Sequence, residues 1–199
     1  WATTDTSVTS GQSGYDGSSN AWKLIPNSTS GPHRIINSVS GVSNSVITLS
    51  VFAKADGYNF IRVSENATTG DYATFNLTNG SVESNTGIPN TATATSVGGG
   101  WYRCSFSVDV GSSARFDIYV MQSASVQQPW SGDGISGVLI QSAQLETGLC
   151  STDYLNSTSV TAKSGLLIDL PRINYDANGE NGALLLEPSR QQLIQFSEY

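Results

Sequence analysis

The chain has 199 residues, of which only 13% are charged, with nine basic against 16 acidic side chains and a formal net charge of −7. An acidic balance with no Lys/Arg cluster repels a nucleic-acid backbone and argues against nucleic-acid binding, and no apolar run approaches the ~20 residues that a membrane helix needs. The length suits one β-domain with a substantial core plus an appendage, kept in solution by Ser, Thr, Asn and Gly more than by ion pairs.

Helical periodicity is nearly absent. Short β-branched and aromatic runs punctuated by Gly, Asn, Pro and Ser recur instead, the pattern of an all-β sandwich. In chain order the expected strands are Ala21 to Ile25, Arg34 to Val39, Val46 to Ala55 and Tyr58 to Val63, with Asp56-Gly57 as a tight hairpin turn between the last two. Ile47, Leu49, Val51 and Ala53 are expected to face the core. Tyr72 to Leu77 follows, with Ala73, Phe75 and Leu77 inward, and Asn79-Gly80 turns the chain toward Ser81 to Glu83. Thr91 to Ser96, Trp101 to Val110, Arg115 to Met121 and Gly137 to Leu145 complete the set. In WYRCSFSVDV, Tyr102, Cys104, Phe106, Val108 and Val110 alternate with Trp101, Arg103, Ser105, Ser107 and Asp109, which predicts one buried face.

Four blocks carry a resemblance: GYDGSSNAWKL from residue 14, FNLTNGSV from 75, GGGWYRCSFSVDV from 98 and SGDGISGVLIQSAQLE from 131. In this order they resemble the jelly-roll modules, related to carbohydrate-binding modules, of bacteriophage tail-fibre and other virion proteins. The resemblance covers residues 1–155 and implies an antiparallel two-sheet jelly-roll β-sandwich. Residues 156–199 form a C-terminal β-rich extension that resembles a second phage segment, carried here by PRINYDANGENGALLLEP. In that family the segment normally precedes a jelly roll, so joining the end of one copy to the start of another restores the family order and implies one repeat of a longer polypeptide. LLIDL and ALLLE are too apolar for solvent and are expected to pack on the sandwich or to add a strand to a neighbouring unit.

The residues offer little for catalysis. His33 is the only histidine and there is no GxSxG elbow, so the Ser-His-Asp arrangement is missing. Asp71, Asp109, Asp117, Asp133, Glu146 and Asp153 supply carboxylates, but no motif pairs two of them as glycoside hydrolysis requires. Cys104 lies at an inward strand position and Cys150 in a turn; they are either bonded to each other or a buried thiol and an unrelated one. The five N-x-S/T sequons, at Asn27, Asn66, Asn76, Asn79 and Asn156, follow from composition.

Sugar recognition uses flat aromatic faces beside amides, carboxylates and guanidiniums. The candidate glycan-binding residues are Trp130, in the long connection from Ser123 to Gly134, and Tyr58, Tyr72 and Tyr119, which strand parity assigns to the face away from the core. For Trp130 a protein interface and plain loop packing stand beside the glycan role, and Trp22 and Trp101 match family positions that fill space or pin sheet edges. No cofactor is required. Jelly-roll modules of this kind often hold a structural Ca²⁺, which the resemblance would place at Asp16 and Asn20; an Asp-Gly turn explains the same residues without an ion.

The resemblance thus implies a non-catalytic virion surface module, of a tail fibre or related appendage, that displays itself and adheres to host glycans. The alternative is an architectural capsid decoration or filament subunit locked by its C-terminal strands, and a glycan-degrading domain is the third reading. Partners are then other copies or other virion proteins and cell-surface polysaccharide. The location is the virion surface or the extracellular space; WATTDTSV lacks the basic and apolar regions of a signal peptide, so export rests on lysis or on an upstream segment.

Overall fold

A computed structural model describes residues 1–39, 42, 44–111, 113–125 and 129–154, together with two short strands at 172–174 and 183–185. The chain divides into two units, Trp1–Asn156 and Ser157–Tyr199. In the second, β15 (Arg172–Asn174) pairs antiparallel with β16 (Ala183–Leu185). The packing expected of LLIDL and ALLLE lies outside the described residues.

The first unit is all β. One six-stranded sheet runs in the order β1 (Ala2–Thr4), β5 (Arg34–Val39), β12 (Ala114–Met121), β7 (Phe60–Glu65), β8 (Tyr72–Asn76), β9 (Val82–Asn85). The other runs β10 (Thr93–Gly98), β11 (Trp101–Val110), β6 (Ser45–Asp56), β14 (Gly137–Thr147), β3 (Ala21–Pro26), β2 (Thr6–Gln12). A small ladder joins β4 (Ser30–Gly31) to β13 (Trp130–Ser131). All these pairings are antiparallel.

Alternation on the central strands builds the core between the two large sheets. Ile47, Leu49, Val51 and Ala53 of β6 are fully buried, as are Cys104 and Phe106 of β11, and they share one cluster with Ile61, Val63, Ala73, Phe75 and Ile118 of the first sheet. Burying one side chain of that size stabilises by about 1.5–3 kcal/mol, so the two inner faces together supply the main drive to fold.

The connections are where expectation and structure part. Asp56-Gly57 is not a hairpin: β6 lies between β11 and β14 and β7 between β12 and β8, so the turn carries the chain from one sheet to the other. Gly57 sits at φ 108°, and a Cβ there would come within 2.5 Å of Ser136 Cβ, so glycine is required both for conformation and for space. Asn79-Gly80 does close the β8–β9 hairpin, with Gly80 N–H donating to the Asn76 carbonyl. Two edge strands and the two-residue strands β4 and β13 are not among those expected from the sequence. β1 ends one sheet and β2 the other, and Asp5, at φ 46°, makes the kink between them.

Candidate functional site

The outer faces of the two sheets are unlike. On the β10–β2 sheet, Trp101 points outward as alternation requires yet is only 3% exposed, because the loop after β2 folds over it. Tyr15 of that loop stacks on Phe52 at 3.8 Å between ring centroids and meets Trp101 edge-on at 6.4 Å. Ser107 is buried on the same face, hydrogen-bonded to Thr48 and to the Leu149 carbonyl, and Arg103 donates to the Thr152 carbonyl. Segments on either side of β14 therefore cover much of this face. Between them an open groove of about 670 Å³ remains, lined by Tyr15, Phe52, Arg103, Asp153 and Tyr154 among others.

The outer face of the first sheet is roofed by its own long side chains. Register places Thr4, Arg34, Tyr119, Arg62, Thr74 and Ser84 in one row across all six strands. The next row holds Ala2, Ile36, Asp117, Ser64 and Tyr72. These positions face outward because their neighbours Ile35, Ile61, Val63, Ala73, Phe75, Ile118 and Val120 fill the core.

Asp117 anchors the group. Its carboxylate is fully buried and accepts from Arg34 Nη1 at 2.9 Å, from Arg115 Nε and Nη2 at 2.9 and 3.0 Å, and from Asn66 Nδ2 at 2.9 Å. The Tyr119 hydroxyl completes the set, accepting from Arg34 Nη1 at 2.5 Å and from Asn66 Nδ2 at 3.1 Å. A buried carboxylate held by two guanidiniums fixes their planes, and with them the tyrosine against which Arg34 rests, 5.3 Å from the ring centroid.

Arg62 is held differently. Its guanidinium lies 3.9 Å over the Tyr72 ring and Nε donates to Thr74 Oγ1 at 3.0 Å. Among the described residues it forms no ion pair. Burial pulls its pKa down and the adjacent phenols of Tyr72 and Tyr119 push it back up. Two half-exposed tyrosines, each with a guanidinium over one ring face, and a third guanidinium thus share this sheet face, a combination of groups used for sugar C–H faces and for hydroxyl or anionic oxygens.

Of the four aromatic residues singled out in the sequence, the structure brings Tyr72 and Tyr119 together here and places the other two elsewhere. Trp130 is no exposed platform: it is 6% exposed and belongs to the core cluster, edge-on to His33 at 4.4 Å and to Tyr58 at 5.1 Å. The cause is the β4–β13 ladder, which closes the long connection over the end of the sandwich. Tyr58, assigned outward by parity, precedes β7 and packs half-buried on the core instead. His33 is fully buried, its Nδ1 at 2.5 Å from the Asp5 carbonyl and Nε2 at 2.8 Å from the Trp130 carbonyl, so it ties β1, β4 and β13 together. Trp22 is 47% exposed. Arg34, Arg62, Arg115 and Asn66 are not singled out by the sequence; for the three arginines, outward parity on separate strands is the available signal.

Asp16 and Asn20 are both exposed. Asp16 Oδ1 accepts from Ser18 N and Oδ2 from Gln141 Nε2 at 3.1 Å, and these hydrogen bonds, those from Ser18 first, lower its pKa to about 2. Both carboxylate oxygens are thus engaged by the protein, and no group of three or more His, Cys, Asp or Glu residues gathers among the described residues. Asp16 is thus a lone carboxylate engaged in its own turn. The Asx turn and its tie to Gln141 account for the loop.

The two fully buried acids do not face each other. Glu65 is the second fully buried acid, accepting from the N–H groups of Ala67, Thr68, Thr69 and Arg115. It pairs with inward-facing Phe116, whereas Asp117 pairs with outward-facing Ser64, so the two acids lie on opposite sides of the sheet. Cys104 is buried and Cys150 exposed, and both are free, which removes the disulfide alternative. No helix among the described residues is long and apolar enough to cross a membrane.

No protein-family model matches the chain, and no curated protein does. Among solved structures it is similar to the enzymatically active domain of tailspike protein 4 of bacteriophage CBA120, at 14% identity and a TM-score of 0.42, over 73% of this chain and 18% of that one. It is also similar to the CBM22-1–GH10 modules of Clostridium thermocellum endo-1,4-β-D-xylanase 10B, complexed with xylohexaose, at 16% identity and a TM-score of 0.42, over 83% of this chain and 27% of that one. The chain therefore spans under a third of either protein, and likeness at this level assigns no activity.

Proposed function

We propose that the chain is a non-catalytic glycan-adhesion module displayed on a virion surface, and that it binds through the outer face of the β1–β9 sheet. The observation that carries the binding site is the row Arg34–Tyr119–Arg62 with Tyr72 beside it, locked from beneath by Asp117. Preorganised aromatic and guanidinium groups lose little side-chain freedom when a ligand docks, which favours affinity. The virion setting rests on the sequence blocks that resemble tail-fibre modules, and the non-catalytic reading on the separation of the two buried acids across the sheet. Each site binds weakly; arraying copies raises the effective concentration of later contacts and so the avidity.

The test is a glycan-array screen of the full chain, followed by calorimetry on the glycans retained. Tyr72→Ala and Tyr119→Ala are each expected to weaken binding about tenfold, which is ~1.4 kcal/mol. Full affinity in both variants would remove the site from this face, and release of reducing-end or unsaturated products from bound polysaccharide would replace adhesion by catalysis.

A further inference from the structure

The charge on the proposed face runs against the charge of the chain. The molecule carries 16 acidic against nine basic residues, yet Arg34, Arg62 and Arg115 gather on this face around a single buried carboxylate, Asp117. Asp117 is shared by Arg34 and Arg115, which leaves Arg62 without an ion-pair partner among the described residues. Glu65, the nearest other buried acid in the register, faces the core and is engaged by its own turn, so it does not offset Arg62. Like charges held close together repel, and a chain that had only neutral hydroxyls to bind would gain nothing from that repulsion. Asn66 and Thr74 show that amides and hydroxyls are already present on this face for such a task.

A second observation points the same way. Arg34 Nε and Ser84 Oγ, in the same cross-strand row as Arg62, are buried and have no hydrogen-bond partner among the described residues. Two polar atoms flanking Arg62 in this row are thus left unsatisfied beneath the surface.

Resting on the adhesion reading above, we infer that the ligand is an anionic polysaccharide whose carboxylates sit on Arg62 and Arg34 while its sugar rings lie against Tyr72 and Tyr119. A guanidinium presents paired N–H donors at the spacing of carboxylate oxygens, and a uronate repeats its carboxylate along the chain as the arginines repeat across the strands.

The experiment compares matched pairs: oligogalacturonate with its methyl ester, and other acidic polysaccharides of the panel with their carboxyl-reduced forms. The full chain is titrated with each by calorimetry at low and at physiological salt. The acidic member is expected to bind at least tenfold more tightly than its neutral partner, and more weakly as salt rises. Arg62→Gln is expected to lose about tenfold or more on acidic members only, and Arg62→Lys to recover part of it, with an unfolding midpoint unchanged in both. Neutral members bound as well as acidic ones, or an Arg62→Gln variant that discriminates as before, would overturn the inference and leave adhesion standing. Binding to no member of either kind would overturn both.

Discussion

Replacing Asp117 by asparagine keeps the shape of the side chain and removes the charge that two guanidiniums share. The carboxylate is fully buried, while the Arg34 and Arg115 side chains retain 21% and 30% of their exposure. Removing one member of a fully buried ion pair costs about 3–5 kcal/mol, because the survivor stays desolvated and unpaired. Here water reaches both survivors in part, so the cost falls to about 2–3 kcal/mol. With a urea dependence of about 1–3 kcal/mol per molar, the unfolding midpoint should drop by about 0.7–3 M. Asp109→Asn, an exposed position on β11, serves as the control and should stay within about 0.5 kcal/mol of the parent. Equilibrium urea unfolding at low salt is the assay. An Asp117→Asn midpoint indistinguishable from that of Asp109→Asn would mean that the arginines are solvated independently. The preorganised face would then not exist.

Three other perturbations test the remaining assignments. Trp130→Ala should cost about 3–5 kcal/mol by opening a cavity beside His33 and Tyr58, while calorimetry on the folded protein shows glycan affinity unchanged; lost affinity at full stability would return the site to the loop. Burial pushes the Glu65 pKa up, but the N–H groups of Thr69, Ala67, Arg115 and Thr68 outweigh it and leave it below its usual 4.5. Its contribution is therefore complete above about pH 4.5 and is lost as pH falls through the depressed value; urea midpoints of Glu65→Gln should be flatter than the parent's across that acid limb, and parallel curves would refute the assignment. Burial drives the Cys104 thiol far above its ordinary pKa, while Cys150 is exposed. A thiol reagent should modify one cysteine in the native protein and both in urea; two rapid native modifications would contradict the burial of Cys104.

Strand positions were legible because a period of two is a local property. Ile47 to Ala53 and Cys104 to Val110 announce their buried faces without knowledge of any partner, and β11 spans the residues the alternation predicts. Partner choice is not local. Nothing in Asp56-Gly57 distinguishes a hairpin from a crossover, since both need a residue at positive φ, and only the pairing of β6 with β14 and of β7 with β12 decides. β1 and β2 carry few large apolar residues and lie at sheet edges, where polar Thr and Ser satisfy both the strand and the solvent; periodicity is silent there.

The site was harder to read for the same reason. Burial of Trp130 depends on a two-residue ladder with Ser30–Gly31, a contact between segments a hundred residues apart that no aromatic in a loop reveals. Tyr72 and Tyr119 were placed outward by parity, but what makes their face a site is the lateral order β5–β12–β7–β8, which aligns Arg34, Tyr119 and Arg62 and puts Tyr72 diagonally beside the last. Each arginine alone reads as a solvated surface charge. Only the register brings Arg34 and Arg62 into one row on an acidic protein, and only the burial of Asp117 explains how Arg34 and Arg115 are held beside each other. Recognition chemistry in a sandwich of this kind is therefore a property of cross-strand neighbours, and a sequence motif search sees just the strands that carry it.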